Sequence, residues 1–535
     1  MAIAQAAPRP ASVEDTTSRY RWLILIGLMT AAVMEVLDTT IVNVALPQMA
    51  GNLGATNVEV AWISTGYILS NVVVLPMTAF LTGVFGRRNY LSGSIAVFVL
   101  ASFLCGISHS LIELVIWRIL QGAAGAALLS TAQATLRQIF PKEQQGLVQA
   151  IFLLGIIVAP TLGPTLGGWL TDNYSWHWCF FINVPIGIVS FFLVSNFLID
   201  PPGMKQSNVK VDWPGIGLLA VGLSSLQYVL EEGNQDDWFQ DPTIVKLSLL
   251  AMTCLGTMLW WELSPRNKAP VVDFRILKNR DLSASIVLFI VLGFGLYGGV
   301  YILPLFTQTI LGFTPTATGL VLMPGGIATG ATALVCGAML NGPKGGRVDP
   351  RMLIFIGVAI FVYAMWDLAH LSVAAGADDV RVPLILRGLA LGFLFAPINN
   401  VAYGNIDPRQ AQQAAGLINL SRQLGGSFGI AVLGFYLTNQ IHLQRASLVE
   451  HTYTGNPLLV ERMNAMTAGF QARGMSHEVA QKAAQVALDG SINRQASMLA
   501  YNQCWMLILI AFAVASPAVF LLRKPKAKAA PVDAH

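Results

Sequence analysis

Two carboxylates interrupt an otherwise apolar stretch near the start of the chain: Glu35 and Asp38, within the run from Trp22 to Pro47. A carboxylate near the centre of a bilayer costs about 3 kcal/mol on insertion scales, so such acids face a water-filled cavity or a partner. Spaced three apart they share one helix face, and burial with mutual repulsion favours holding a proton on one of them. An acid so placed takes up a proton on one side of a membrane and releases it on the other. The alternative, that both sit in a wet vestibule, stands beside this reading. Arg118, in the run WRILQGAAGAALL, is the natural counter-charge, because a guanidinium in lipid must also be paired. Facing Asp38, it couples protonation to a change of state; the plainer alternative is a static tether between helices. Arg387 and Arg422 read as structural counterparts later in the chain.

The elements that must position these residues follow from composition. Of 535 residues, 54% are hydrophobic and 11% charged, where soluble domains carry about a quarter charged. Mean hydropathy is +0.60. This excludes a cytosolic enzyme, a secreted disulfide framework, a collagen-like fibre and a nucleic-acid binder; the net charge of +4 is too small to imply a polyanionic partner. Apolar segments long enough for membrane helices run Trp22–Pro47, Val58–Phe85, Tyr90–Ser108, Leu111–Leu136, Leu147–Leu170, Cys179–Ile199, Trp213–Leu230, Pro242–Leu263, Leu282–Leu311, Thr316–Leu340, Met352–Leu371, Val382–Tyr403, Gln410–Thr438 and Tyr501–Leu522. An even number, fourteen, puts both termini on one side. The N-terminal tail and every second connection hold 22 of the 32 Lys and Arg residues, among them Arg87, Arg88, Arg137, Arg275 and Lys278, whereas the short connections opposite hold only Arg381. A basic excess in short loops marks the cytoplasm, so both termini are expected there.

The expected organisation is a cytoplasmic tail over 1–21, a six-helix bundle over 22–199, an inserted hairpin with linkers over 200–281, a second six-helix bundle over 282–522 with a long outer loop at 439–500, and a cytoplasmic tail over 523–535. An internal repeat supports it. Leu46–Pro47 ending the first segment match Leu303–Pro304 in the ninth; Gly86, Arg87 and Arg88 match Gly346, Arg347 and Arg351; Arg118, Gly122 and Gly125 match Arg387, Gly388 and Gly392. Segments seven and eight fall outside this register.

The fifth segment reads GIIVAPTLGPTLGGWL, with Gly155, Gly163, Gly167 and Gly168 near one face and Pro160 and Pro164 interrupting the hydrogen-bond ladder. Small residues permit close helix approach and prolines bend a helix, which suits a rocking seam between bundles; ordinary tight packing is the plainer reading. Gly416, Gly425, Gly426 and Gly429 repeat the pattern in the thirteenth segment. The sequence has no GxxxxGK[ST] phosphate loop, its histidines lie in loops, at segment ends or in the tail, and its five cysteines are isolated. An ion gradient, with no cofactor and no metal, is the expected energy source.

These motifs resemble the fourteen-span drug:proton antiporter family of the major facilitator superfamily, the EmrB/QacA type. LDTTIVNVALP from Leu37 to Pro47 is similar to its first-span motif, with Asp38 at the acidic position; RILQG from Arg118 to Gly122 to the fourth-span motif assigned to proton coupling; GIIVAPTLGPTLGG from Gly155 to Gly168 to the fifth-span motif; and WHWCFFINVPIG from Trp176 to Gly187 to a stretch typical of the family. The resemblance implies an all-α polytopic membrane protein of major facilitator fold. It further implies a proton-coupled multidrug exporter of the bacterial inner membrane, a secondary transporter rather than an enzyme. It also implies a periplasmic membrane-fusion adaptor and outer-membrane channel in the EmrB branch, whereas QacA-like relatives work alone. Gly83 and Val84 stand where the family pattern offers Asp and Arg ahead of Gly86, Arg87 and Arg88, which puts the expected gating salt bridge in doubt. Glu35 is outside the family motif. Asn43, Tyr67, Gln121, Tyr297, Gln308 and Asn399 are expected, from position, to orient small hydrophobic or amphipathic substrates in an otherwise apolar cavity. The rival readings are a dedicated exporter of one metabolite, such as a siderophore or a self-made antibiotic, and a non-transporting receptor on the same scaffold.

Overall fold

In lipid a backbone has no water to bond, so an apolar chain of this length must satisfy its amides internally. The computed structural model does so with helices, and there is no strand among the residues it describes: 13–200, 211–267, 270–341, 348–404, 406–407, 410–450, 452 and 456–522. Thirteen helices follow the first thirteen apolar segments: α1 (Val13–Leu53), α2 (Asn57–Val74), α3 (Arg87–Gly106), α4 (Leu111–Ile139), α5 (Lys142–Asn173), α6 (Asn183–Phe197), α7 (Trp213–Glu232), α8 (Pro242–Leu263), α9 (Arg280–Thr309), α10 (Pro315–Asn341), α11 (Pro350–Leu368), α12 (Ala377–Gly404) and α13 (Ala411–Glu450). A short helix, α14 (Pro457–Gln471), precedes α15 (His477–Ala515), which carries the last segment. Among the described residues, twelve of these helices hold a stretch long and apolar enough to cross a membrane on its own composition, and α13 does not. α13 carries Gln412, Asn419 and Arg422 among its glycines.

Local chemistry sets the helix starts. The first N–H groups of a helix lack partners, and here side chains supply them: Thr56 and Glu59 form a capping box on α2, Asp212 caps α7, Asp241 caps α8 and Asn279 caps α9. The cap on Asp241 holds that carboxyl below its usual range, chiefly through its bonds to Thr243. Pro76 marks a tight turn over Leu75–Met77 that divides the second segment before Thr78–Phe85 completes it.

Packing repeats between the halves. α1 lies against α5 and α6, α2 against α4, and α3 against α4 and α6; in the same order α9 lies against α13 and α15, α10 against α12, and α11 against α12 and α15. Two six-helix bundles result, joined along α5 and α10, with α7 and α8 inserted outside them. α7 touches α2 and α13, whereas α8 is mostly exposed, with Met252 and Trp260 outward. The outer loop differs from its expectation as a plain connection. α13 and α15 continue as helices beyond the apolar segments, and Arg445 of one meets Asp489 of the other at 2.9 Å. Cys105, Cys179, Cys336 and Cys504 are buried and unbridged, as small core side chains.

α10 and α12 approach so closely that a Cβ on Gly388 would fall on the Gly325 carbonyl. Gly388→Val should therefore force the helices apart and cost on the order of 1–3 kcal/mol, read as a lower unfolding midpoint in detergent. Gly256→Val, on α8 with nothing within 4 Å of its Cβ, should leave the midpoint unchanged.

Candidate functional site

Asp38 and Arg118 meet in the middle of the first half, at 0% and 1% exposure. Arg118 Nη1 donates to Asp38 Oδ2 at 2.5 Å and to Gln121 Oε1 at 2.8 Å, while its Nε donates to the Ile63 carbonyl at 3.0 Å. The other carboxylate oxygen, Asp38 Oδ1, accepts from Gln121 Nε2 at 3.0 Å and Asn183 Nδ2 at 2.8 Å. The guanidinium carbon stands 4.3 Å from the Tyr67 ring centroid. A buried ion pair holds only when its remaining donors and acceptors are met, and here α1, α2, α4 and α6 all contribute. Gln121 and Tyr67, expected to orient a substrate, are buried members of this cluster. Asn183 was not anticipated; the signal for it is a lone amide in the apolar run CFFINVPIG, where an unpaired amide would be costly.

Glu35 is not part of this cluster despite sharing a helix face with Asp38. Its Oε1 accepts from Asn71 Nδ2 at 3.4 Å, and Asn71 also donates to the Gly122 carbonyl at 3.2 Å. Its Oε2 is buried without a hydrogen-bond partner. The charges that act on Glu35 are Arg422 of the second half, attractive, and Asp38, repulsive.

The glycines of α5 face α1 rather than the opposite half. A Cβ on Gly163 would strike Thr40 Oγ1 and one on Gly167 the Ile41 carbonyl, whereas Gly168 is in ordinary contact distance of Val44. At the seam itself the close approach comes from α10, where Gly319 receives Thr165 and Gly330 receives Leu154 of α5. Pro164 is half-buried; the Pro160 side chain lies outside the described residues. The GRR connection makes a clasp within the first half. Gly86 takes φ +81°, Arg88 N donates to Asp200 Oδ1 at 2.9 Å, and Arg87 lies 3.7 Å from the same oxygen and donates to the Ile199 carbonyl at 3.1 Å. Asp200, after α6, thus supplies the carboxylate missing at Gly83. Gly346, Arg347, Arg409 and the basic tail residues lie outside the described residues.

The halves meet by amides at the end of the molecule where α1 begins, the near end. Gln133 Nε2 donates to Asn399 Oδ1 at 2.9 Å, Asn419 Nδ2 to Gln133 Oε1 at 3.1 Å and Gln412 Nε2 to Thr131 Oγ1 at 3.0 Å. Arg137 donates to the Asn399 carbonyl at 3.2 Å and stands over the Tyr403 ring. A cavity of about 10 Å³ among Gln133, Asn399, Asn419 and Arg422 has room for one water at most. Asn399 therefore belongs to this closure. Toward the far end Asn43, which accepts from Ser64, and Gln308 are exposed, and Tyr297 is half-buried against Gly426.

Residues 28–430 match the family model described as Major Facilitator Superfamily. The chain belongs to that superfamily. Among curated members, the multidrug export protein EmrB of Haemophilus influenzae is 33% identical, covering 82% of this chain and 84% of that protein. The fatty acid resistance protein FarB of Neisseria gonorrhoeae is 32% identical over 94% and 96%, and the colistin resistance protein EmrB of Acinetobacter baumannii is 28% identical over 94% and 97%. The crystal structure of the human organic anion transporter MFSD10 (TETRAN) shares the fold, with a TM-score of 0.56, 12% identity, 94% of this chain and all of that one. This member of the superfamily is thus a membrane transporter and not an enzyme, similar to EmrB-type exporters, with its ion pair in the first bundle and its closure between bundles.

Removing Arg118 leaves Asp38 buried and uncompensated. Arg118→Met should cost about 3–5 kcal/mol of stability, measured by unfolding in detergent, and adding Asp38→Asn to it should restore part of the loss.

Proposed function

We propose that the protein exports hydrophobic or amphipathic compounds across the cytoplasmic membrane in exchange for protons, by alternating access between its two bundles. The observation that carries this reading is the buried Asp38–Arg118 pair with Glu35 beside it, one oxygen unpartnered, in a two-bundle transporter. In this scheme a proton taken by Asp38 abolishes its ion pair with Arg118 and frees the guanidinium to rearrange with Gln121 and Tyr67. The ion pair and the protonated acid then stabilise different arrangements of α1, α4 and α6, which is what coupling requires. The proton gradient is the energy source and no cofactor takes part. With the termini cytoplasmic, closure at the near end and exposure of Asn43 and Gln308 correspond to an outward-facing arrangement.

Names borne by relatives, for multidrug export, fatty acid resistance and colistin resistance, support an amphipathic substrate class. The extension formed by α13, α14 and α15 is the proposed contact for a periplasmic adaptor leading to an outer-membrane channel.

In membrane vesicles with an imposed proton gradient, Asp38→Asn should reduce proton-driven efflux of a lipophilic dye at least tenfold. Efflux at near wild-type rate in this variant would show that Asp38 does not couple the two fluxes. Collapsing the gradient should stop efflux by the unaltered protein.

A further inference from the structure

The inserted pair α7 and α8 is the part of the chain to which the export scheme assigns no role. α7 lies across the seam between the halves toward the far end. On one side Glu232 Oε1 accepts from Thr65 Oγ1 of α2 at 3.2 Å, and Tyr228 stands 5.7 Å from Trp62, centroid to centroid. On the other, Gln227 Nε2 donates to Ser427 Oγ of α13 at 2.7 Å, and Trp238 packs edge-on against Phe435.

Hydrogen-bond accounting at this crossing does not balance. Gln227 is fully buried and Glu232 is 6% exposed. Gln227 Nε2 also donates to Glu231 Oε2 at 2.9 Å, which puts its own Oε1 in the same cluster, and that oxygen has no partner. Among the described residues each carboxylate thus accepts from one neutral donor, and the buried Gln227 Oε1 accepts from none. Among the described residues no Lys or Arg forms an ion pair with either glutamate, and the chain beyond adds Asp236, Asp237 and Asp241 before the next basic residue, Lys246. A buried acceptor left unmet costs about 1–3 kcal/mol, more when charged. The missing component is a positive charge that brings N–H donors. Trp62 and Tyr228 add aromatic faces, which attract cations.

We propose that Gln227, Glu231 and Glu232 form a binding site for the protonated amine of an amphipathic molecule, at the far-end opening of the seam between α2 and α13. The site deepens the export reading by naming one class of compound that passes this opening, and rests on that reading for the compound's being cargo. An occupant bonded here sits where both halves reach α7, so it favours the arrangement in which both do.

The test is equilibrium binding of dansylcadaverine, an amphipathic primary amine, and of its uncharged N-acetyl derivative, to the full-length protein in zwitterionic nanodiscs. The unaltered protein should bind the amine more tightly than the acetylated probe. Glu231→Gln with Glu232→Gln should weaken amine binding tenfold or more and leave the acetylated probe unchanged. An amine affinity within threefold of wild type, or equal loss for both probes, would overturn the proposal. Should the double variant not fold, Gln227→Met carries the same test, with at least a threefold selective loss expected and an unselective or smaller one overturning. Binding is read without a gradient, so a transporter that proves not to be proton-driven would leave this result intact.

Discussion

An aspartate and an arginine buried together in an apolar bundle place a demand on everything around them, because each is tolerable there only while the other is present and every remaining donor and acceptor is met. In the first half that demand is answered from four helices. α1 brings Asp38, α2 the Ile63 carbonyl and the Tyr67 ring, α4 Arg118 and Gln121, and α6 Asn183. The close approach that allows this comes from glycine: Gly122 meets the Tyr67 backbone, and Gly163 and Gly167 let α5 lie directly on α1. The first bundle is thereby organised about one charge pair, and any change at that pair reaches four helices together.

The second bundle repeats the packing but not the chemistry. Arg387 sits where the repeat places the counterpart of Arg118, yet it donates to the Gly295 and Leu296 carbonyls and forms no ion pair among the described residues. Arg422 donates to Asn419 and, across the seam, is the attractive charge acting on Glu35. The halves are therefore electrically unlike: the first holds a buried ion pair and a second acid, Glu35, and the second supplies the cation Arg422 that acts on Glu35.

What joins the halves is of a different kind from what organises each. Gln133, Asn399, Gln412 and Asn419 close the near end with neutral amide bonds, each contributing about 0.5–1.5 kcal/mol net, beside one bond from Arg137 to the Asn399 carbonyl. Water can replace such bonds when the seam opens, whereas separating a buried ion pair strands a charge. A transporter needs rigid halves and a seam that parts, and the ion pair and the amides divide along that line.

The membrane helices and the repeat were legible in the sequence because lipid imposes a local rule: each crossing must be apolar and satisfy its own backbone. Asp38 and Arg118 were legible because charges in apolar runs are rare and costly. Even so, α13 carries Gln412, Asn419 and Arg422, which fit it for a protein interior, so composition alone ranks it below the helices that cross on hydropathy. Only the tertiary structure separated Glu35 from Asp38, drew Gln121 and Asn183 to the ion pair, moved Asn399 into the closure, turned the α5 glycines toward α1, found in Asp200 the acid absent at Gly83, and set α7 across the seam. Each of those depends on how helices far apart in sequence are rotated and how closely they approach, and hydropathy along one segment contains no information about either.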